Sequence, residues 1–133
     1  MGVMDPARLK NVPLFASLSG KERQMIARWA DEIDVPRGRE LVKQGEFAYE
    51  FFVIERGLAE VLVEGKHVND LSPGDFFGEI ALLDADRRTA SVVARSDVQV
   101  IVMHARNFRS MAAELPQVAE RIWQAISERL GRS

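Results

Sequence analysis

The spacing of hydrophobic and polar positions changes twice along the chain, from helical to strand-like and back to helical. In the first third, apolar residues lead up to Ser19, and Glu22 follows three residues later, a pairing typical of the capping box at a helix start. The apolar spacing after it predicts a helix from about Gly20 to Asp31, with one face docked on the rest of the molecule. We therefore expect residues 1–32 to form N-terminal helices.

The middle of the chain, residues 33–103, has the short period of β-structure. It divides into short runs rich in β-branched residues, separated by turns that contain glycine or proline, such as the Pro-Arg-Gly turn at 36–38. Turn signals at a spacing of roughly 8–12 residues are typical of an antiparallel sandwich or barrel. Near the end of this region Val98, Val100 and Val102 recur at every second position, which predicts a strand with one buried face.

Two further helices are predicted after His104, within residues 105–130. The first covers about Asn107 to Leu115, and the second begins at Pro116, because proline is well tolerated in the first turn of a helix. Apolar residues of the second helix recur every four positions, so they form a stripe that needs a partner surface. The stripe consists of Val118, Ile122, Ile126 and Leu130.

The size and charge of the chain limit its partners. Its 133 residues suit a single domain, 1–133, large enough to bury a core without disulfide or metal. The absence of cysteine excludes disulfides, thiolate nucleophiles and cysteine-ligated zinc. A net charge of -2 supplies no positive face, so nucleic acid is not expected as a direct partner. No membrane-spanning run or export signal is visible, and we expect a cytoplasmic protein without a membrane segment.

Residues that often carry catalysis or bind metals do not fall into a known pattern. Asp84 and Asp86 have no third ligand at motif spacing, and His67 and His104 lie on separate elements without a HExxH pattern. The sequence also contains no GxSxG motif, Walker loop or paired catalytic carboxylates. We therefore predict no enzyme activity, no metal site and no cofactor.

The segment Phe77–Ser91 carries the strongest chemical signal. It reads FGEIALLDADRRTAS: an FGE opening, then Ile-Ala-Leu-Leu, and an arginine nine residues after the glutamate, followed by threonine and alanine. It closely resembles the phosphate-binding cassette of cyclic-nucleotide-binding domains. The likeness covers essentially the whole chain and is closest to the domains of cyclic-nucleotide-gated channels, then to bacterial cAMP-receptor-like regulators. It implies an α+β fold: an antiparallel, jelly-roll-like β-roll with N-terminal helices, a short phosphate-binding helix and two C-terminal helices, the last a lid.

The cassette residues suit a sugar and a cyclic phosphate. Gly78 lets the backbone approach a ligand, and a helical turn at 80–83 would aim amide hydrogens at an anion. Arg88 would add a planar two-pronged donor, unless it is simply a surface arginine. Ionised Glu79 only accepts hydrogen bonds, so the resemblance assigns it the ribose 2′-hydroxyl; the alternative is a carboxylate paired inside the protein. The neighbouring Arg87 is expected to be a solvated charge.

The resemblance also places residues around the base. Val61 and Leu71 would line the base pocket from facing strands. Thr89 would touch the phosphate, and a threonine there allows cGMP as well as cAMP as the ligand. Asn69 stands where the family often has a larger apolar residue, so the base preference stays open. In the domains of cyclic-nucleotide-gated channels, an arginine of the last helix covers the base. Counting from Arg88 without gaps places Arg129 at that position. A solvated cation at a helix end is the equal alternative for Arg129.

The sequence therefore predicts a sensor of cAMP or cGMP. The last helix would swing about the Leu115–Pro116 break, and an effector domain or partner protein would respond at that helix. The alternatives are a ligand-free interaction module of the same fold, or the sensor half of a larger channel, transcription regulator or enzyme. The predicted ligand-binding residues are Phe77, Gly78, Glu79, Ile80, Ala81, Arg88, Thr89, Ala90, Val61, Leu71 and Arg129.

Overall fold

Two antiparallel four-stranded sheets and five helices make up the computed structural model, which describes residues 5–10, 12–78 and 87–131. The helices are α1 (Pro6–Leu9), α2 (Pro13–Ala16), α3 (Gly20–Ile26), α4 (Ala105–Glu114) and α5 (Pro116–Gly131). The strands are β1 (Ala30–Val35), β2 (Glu40–Val42), β3 (Glu50–Arg56), β4 (Ala59–Val63), β5 (Lys66–Leu71), β6 (Phe76–Phe77), β7 (Ser91–Ala94) and β8 (Val98–His104). The helix, β-roll, helix order of the prediction is confirmed.

The two sheets face each other and enclose an apolar interior. The first sheet has the order β1-β8-β3-β6 and the second has the order β2-β7-β4-β5, with antiparallel pairing throughout. Residues from both sheets form what we call the roll-interior cluster. It consists of Phe52, Ile54, Ala59, Leu71, Phe77, Val92, Ala94, Val98, Val100 and Val102. This arrangement is the antiparallel β-roll expected from the sequence.

A second apolar cluster lies between the helices and the outer face of the first sheet; we call it the helix-side cluster. It consists of Leu9, Val12, Phe15, Leu18, Ile26, Ala27, Ala30, Phe51, Val53, Ile101, Met103, Phe108, Met111, Val118, Ala119 and Ile122. The predicted single buried face of β8 is therefore wrong. Val100 lies in the roll interior, whereas Ile101 lies on the helix side, because this strand is covered by a sheet on one face and by helices on the other.

The third helix starts as predicted but ends earlier. Ser19 and Glu22 form the complete capping box, each side chain bonded to the other residue's backbone N–H. The helix then stops at Ile26 instead of Asp31, and strand β1 begins at Ala30, three residues before the predicted start of the β region. Residues 30–35 pair with the whole of 98–103 across the sheet, and this long-range pairing prevails over the local helical spacing.

The last helix already has a partner surface for the first half of its stripe. Val118 and Ile122 are both buried in the helix-side cluster, so that cluster, and not a ligand's base, covers them. The side chains of Ile126 and Leu130 lie outside the described residues. The swing of this helix over a ligand stays a prediction. None of the described helices has the length and apolar character needed to cross a membrane.

Candidate functional site

The candidate site is built on a pair of stacked aromatic rings at the edge of the first sheet. Phe52 of β3 and Phe77 of β6 are direct partners in the antiparallel register. Their rings lie nearly parallel, at an angle of 7°, with centroids 4.7 Å apart. Both side chains belong to the roll-interior cluster. Phe77, a predicted site residue, is thus fixed in the roll at the point where the chain enters the cassette.

Gly78 leaves the strand in a backbone conformation that other residues rarely adopt. Its φ is +81°, in the left-handed region. A Cβ atom at this position would lie 2.6 Å from Nη1 of Arg88 and 2.6 Å from the carbonyl oxygen of Glu50. Glycine is therefore required both by the backbone angle and by the close approach of the arginine, as expected for a cassette glycine.

The Arg88 guanidinium lies in the space beside Gly78, which we call the notch. It is held there by the main chain and by an aromatic ring. Its Nη2 donates a hydrogen bond of 2.9 Å to the carbonyl oxygen of Glu50, and its Cζ lies 5.8 Å from the centroid of the Phe52 ring. Its backbone N–H also donates to the carbonyl of Glu46 at 2.7 Å, and its carbonyl accepts from the N–H of Gly45 at 2.9 Å. The half-buried guanidinium is thus positioned in the notch beside Gly78.

The predicted base-pocket residues lie on the second sheet, facing the same interior. Leu71 is buried in the roll-interior cluster, and the half-buried Val61 packs against that cluster. Val61 pairs with the exposed Asn69 in the register of β4 and β5. Thr89 is exposed, and Ala90 next to it is half-buried. The roll therefore brings Val61 and Leu71 together with Phe52 and Phe77.

Four predicted site residues cannot be placed from their side chains. Glu79, Ile80 and Ala81 lie outside the described residues, as does the rest of the turn at 80–83 that was predicted to bind an anion. Arg129 belongs to α5, but its side chain is also outside the described part of the chain. The roles assigned to these four residues stay predictions.

Arg87 does more than the predicted solvated charge. Its side chain is exposed, yet Nη1 donates to the carbonyl oxygen of Gly45 at 2.8 Å, and Cζ lies 4.5 Å from the centroid of the Phe47 ring. Residues 47 and 87 also form an isolated antiparallel bridge. Arg87 therefore attaches the end of the cassette to the loop that precedes β3.

Two residues of β3 that hold Arg88 were not predicted from the sequence, namely Glu50 through its carbonyl and Phe52 through its ring. A signal was present, because two Phe-Phe pairs occur, at 51–52 and at 76–77. Strands with two adjacent aromatic residues place one on each face of a sheet, so the pairs could match each other across one ladder. Without the register, however, nothing connects either pair to an arginine farther along the chain.

The structure also shows how the site is connected to the C-terminal helices. The N–H of Ala105, the first residue of α4, donates to the carbonyl of Tyr49 at 2.8 Å. The next residue, Glu50, holds Arg88 and pairs with His104 in the register of β3 and β8. The rings of Tyr49 and His104 are also stacked, 6.2 Å apart. One short segment thus contacts both Arg88 and the start of α4.

Fold and site together define a β-roll module with an arginine held at a glycine notch and helices attached behind it. Comparison with known proteins agrees, since residues 32–114 match the family model described as cyclic nucleotide-binding domain. The chain belongs to this family. Among the described residues, no three His, Asp or Glu side chains meet in a way that could hold a metal ion.

Curated relatives and solved structures show the same likeness. The chain is 37% identical over 120 residues to the cAMP-dependent protein kinase regulatory subunit of Emericella nidulans, covering 89% of this chain and 29% of that protein. It is 33% identical to a cyclic nucleotide-gated potassium channel of Rhizobium etli, covering 90% of this chain and 34% of the channel. The Thermus thermophilus catabolite activator protein superimposes with a TM-score of 0.77 at 26% identity, covering 90% and 59% of the two chains. The chain spans about a third of the length of these curated relatives.

Proposed function

We propose that this chain binds a 3′,5′-cyclic nucleotide, cAMP or cGMP, at the mouth of the β-roll and acts as a regulatory sensor without catalysis of its own. The observation that carries the proposal is the meeting of Gly78 and Arg88, where a guanidinium occupies the space that any other side chain at 78 would fill. A cyclic phosphate is a compact anion, and a planar two-pronged cation on a fixed support suits it. Membership of the family supports the same ligand.

The remaining contacts of the ligand are assigned on the same proposal. Glu79 would accept from the ribose 2′-hydroxyl, and the amides of the turn at 80–83 would face the phosphate. Val61 and Leu71, which converge on the roll interior, would contact the base. The exposed Thr89 would face the phosphate and leave room for guanine as well as adenine. Base preference would thus depend on Val61, Asn69 and Thr89, and on Arg129 of the last helix.

The signal would leave the site through the segment that joins Arg88 to α4. Any shift of Arg88 towards a phosphate acts on Glu50, whose neighbour Tyr49 is bonded to Ala105 at the start of the helix. Ligand binding would therefore favour one of two positions of the C-terminal helices. The relatives include a kinase regulatory subunit and a channel, so we propose that an effector domain or partner protein at those helices reads this change.

The test is calorimetric titration of the protein with cAMP and with cGMP, comparing the wild type with Arg88→Leu. Loss of a charge-assisted bidentate contact should weaken binding by about 3 kcal/mol, or roughly 100-fold. Arg87→Leu is the matched control, because that neighbouring arginine contacts the loop at Gly45 and Phe47, and binding should change by less than about threefold.

Two results would contradict the proposal. A folded Arg88→Leu variant with unchanged affinity would remove the role given to Arg88. A folded wild-type protein that binds neither nucleotide at millimolar concentration would remove the function itself. The second result would favour a ligand-free interaction module of the same fold.

A further inference from the structure

We propose that Phe52 is a positioning residue, whose ring holds the Arg88 guanidinium in the orientation that presents it to the ligand's phosphate. The proposal rests on the cyclic-nucleotide function proposed above and adds a residue from a strand outside the cassette. It predicts that affinity depends on the aromatic character of position 52, beyond its contribution to the core.

The guanidinium of Arg88 lies close to the ring of Phe52. The Cζ of Arg88 lies 5.8 Å from the centroid of Phe52, within the range in which the electron-rich face of an aromatic ring attracts a guanidinium. The Phe52 ring is only 6% exposed, and Arg88 is half-buried, so water screens this attraction less than at an open surface. The ring is thus a genuine electrostatic partner of the guanidinium.

The ring of Phe52 is held rigidly by its neighbours. Phe52 stacks on Phe77 at 4.7 Å, and the two residues are paired in the ladder of β3 and β6. On its other side in the sheet, Phe52 pairs with Val102 of β8. A ring fixed by a neighbouring ring and by two paired strands has little freedom to turn, so it can fix whatever packs on it.

Two residues of the same strand, β3, contact the Arg88 guanidinium. Nη2 donates to the carbonyl of Glu50 at 2.9 Å, and the ring of Phe52 lies two residues farther along β3. An arginine side chain has many rotamers, and restricting them before the ligand arrives lowers the entropy lost on binding. Two contacts from one strand therefore pre-organise Arg88, and Phe52 provides the contact that a substitution can remove.

Phe51 is a matched control in the next position of the strand. It is also buried, at 2% exposure, and also forms an aromatic pair, with the ring of Phe76 at 5.8 Å. Its side chain, however, belongs to the helix-side cluster, on the face of the sheet away from the roll interior. Phe51→Leu and Phe52→Leu therefore remove the same atoms from opposite faces of one strand.

The experiment compares Phe52→Leu with Phe51→Leu by thermal unfolding and by calorimetric titration with cAMP and cGMP. We expect similar falls in Tm, because each variant removes a buried ring. Affinity should fall roughly 10-fold in Phe52→Leu, as expected for loss of a part-desolvated cation–π contact, and by less than about twofold in Phe51→Leu. Equal losses of affinity in the two variants would overturn the proposal.

A second measurement needs no ligand. In the unliganded protein, the NMR signal of the Arg88 Nε–H should be shifted by the ring current of Phe52, and Phe52→Leu should move it towards the position of a solvent-exposed arginine. Phe51→Leu should leave it unchanged. If the Arg88 signal did not move in Phe52→Leu, the positioning role would be overturned even if affinity fell.

These two measurements also distinguish the two proposals. If the wild type bound no cyclic nucleotide, the proposed function would fail, while the Arg88 signal would still show whether the guanidinium packs on the Phe52 ring. If Phe52→Leu did not fold, Phe52→Met, which also lacks a ring but has a more flexible side chain that adapts to irregular gaps, would take its place in both measurements. An unmoved Arg88 signal in that variant would equally overturn the role.

Discussion

The roll-interior and helix-side clusters share strands of the first sheet, but they differ in what covers them. On β3, Phe51 contributes to the helix-side cluster and Phe52 to the roll interior. The helix-side cluster is closed over by helices, whereas the roll interior leads to the notch where Gly78 and Arg88 meet. On the proposed function, alternate residues of one strand therefore contribute to stability alone on one face, and to stability and ligand binding on the other.

This difference has a practical consequence, since stability and affinity should be separable by face. A substitution on the helix side should lower the free energy of unfolding without changing the shape of the notch. A substitution of equal size in the roll interior should affect both quantities.

Two buried isoleucines allow the most direct test. Ile101 of β8 lies in the helix-side cluster and Ile54 of β3 in the roll interior, with exposures of 2% and 0%. Each change to alanine should lower the free energy of unfolding by about 3 kcal/mol, the usual cost of such a truncation plus its cavity. In urea unfolding and calorimetry, only Ile54→Ala should also weaken nucleotide binding. Equal effects on affinity would break the comparison between the faces.

Two glycines with the same backbone angle test the notch itself. Gly78 and Gly65 have φ values of +81° and +77°, but a Cβ at Gly65 would meet nothing within 4 Å. Gly65→Ala should therefore cost only the left-handed strain, about 1 kcal/mol in urea unfolding. Gly78→Ala adds a clash with Arg88 and with the carbonyl of Glu50, so it should also weaken binding about tenfold or more. If both variants kept wild-type affinity, Arg88 would not need its observed position.

Much of this arrangement is predictable from local sequence. Ser19 and Glu22 mark the start of α3 because a capping box involves residues three apart. Gly78 and Arg88 both belong to the segment 77–91 that resembles a phosphate-binding cassette, and a Cβ at position 78 would lie 2.6 Å from Nη1 of Arg88. These features depend on short segments or on a pattern shared with a family, so one sequence is enough to find them.

The features that the sequence did not reveal depend on register between distant segments. The end of α3 at Ile26 depends on β1 pairing with β8, about 70 residues farther along. The contact of Phe52 with Arg88 requires both the ladder of β3 and β6 and the course of the loop before β3. Neither hydrophobic periodicity nor turn signals specify which strands become neighbours.

The polar end of the helix-side face contains a carboxyl pair under α1. Arg8 of α1 lies 2.8 Å from Oε1 of Glu32 and 3.9 Å from Oε1 of Glu55, which sits at a register shift in β3. Oε2 of each glutamate is buried and, while both carboxyls are ionised, accepts no hydrogen bond from the described residues; a hydrogen bond between the two carboxyls requires a proton on one of them. Burial, and then hydrogen bonding and repulsion from Glu32, raise the pKa of Glu55 to about 7, against the attraction of Arg8 and Arg56. One proton held between the two carboxyls would satisfy both buried oxygens.

This pair gives the smallest predicted effect, a pH dependence confined to the helix side. The folded protein keeps a proton on Glu55 that the unfolded chain releases near pH 4.5, so the free energy of unfolding should fall as pH rises from about 4.5 to about 7. Allowing for solvent screening, the fall should be on the order of 1 kcal/mol. Glu55→Gln keeps the neutral form and should remove this fall in urea titrations, while the exposed Glu120→Gln should not. If the free energy of unfolding had the same pH slope in wild type and Glu55→Gln, the pair would not hold the proton. If nucleotide affinity changed over the same pH range as the free energy of unfolding, the two faces of the sheet would be coupled.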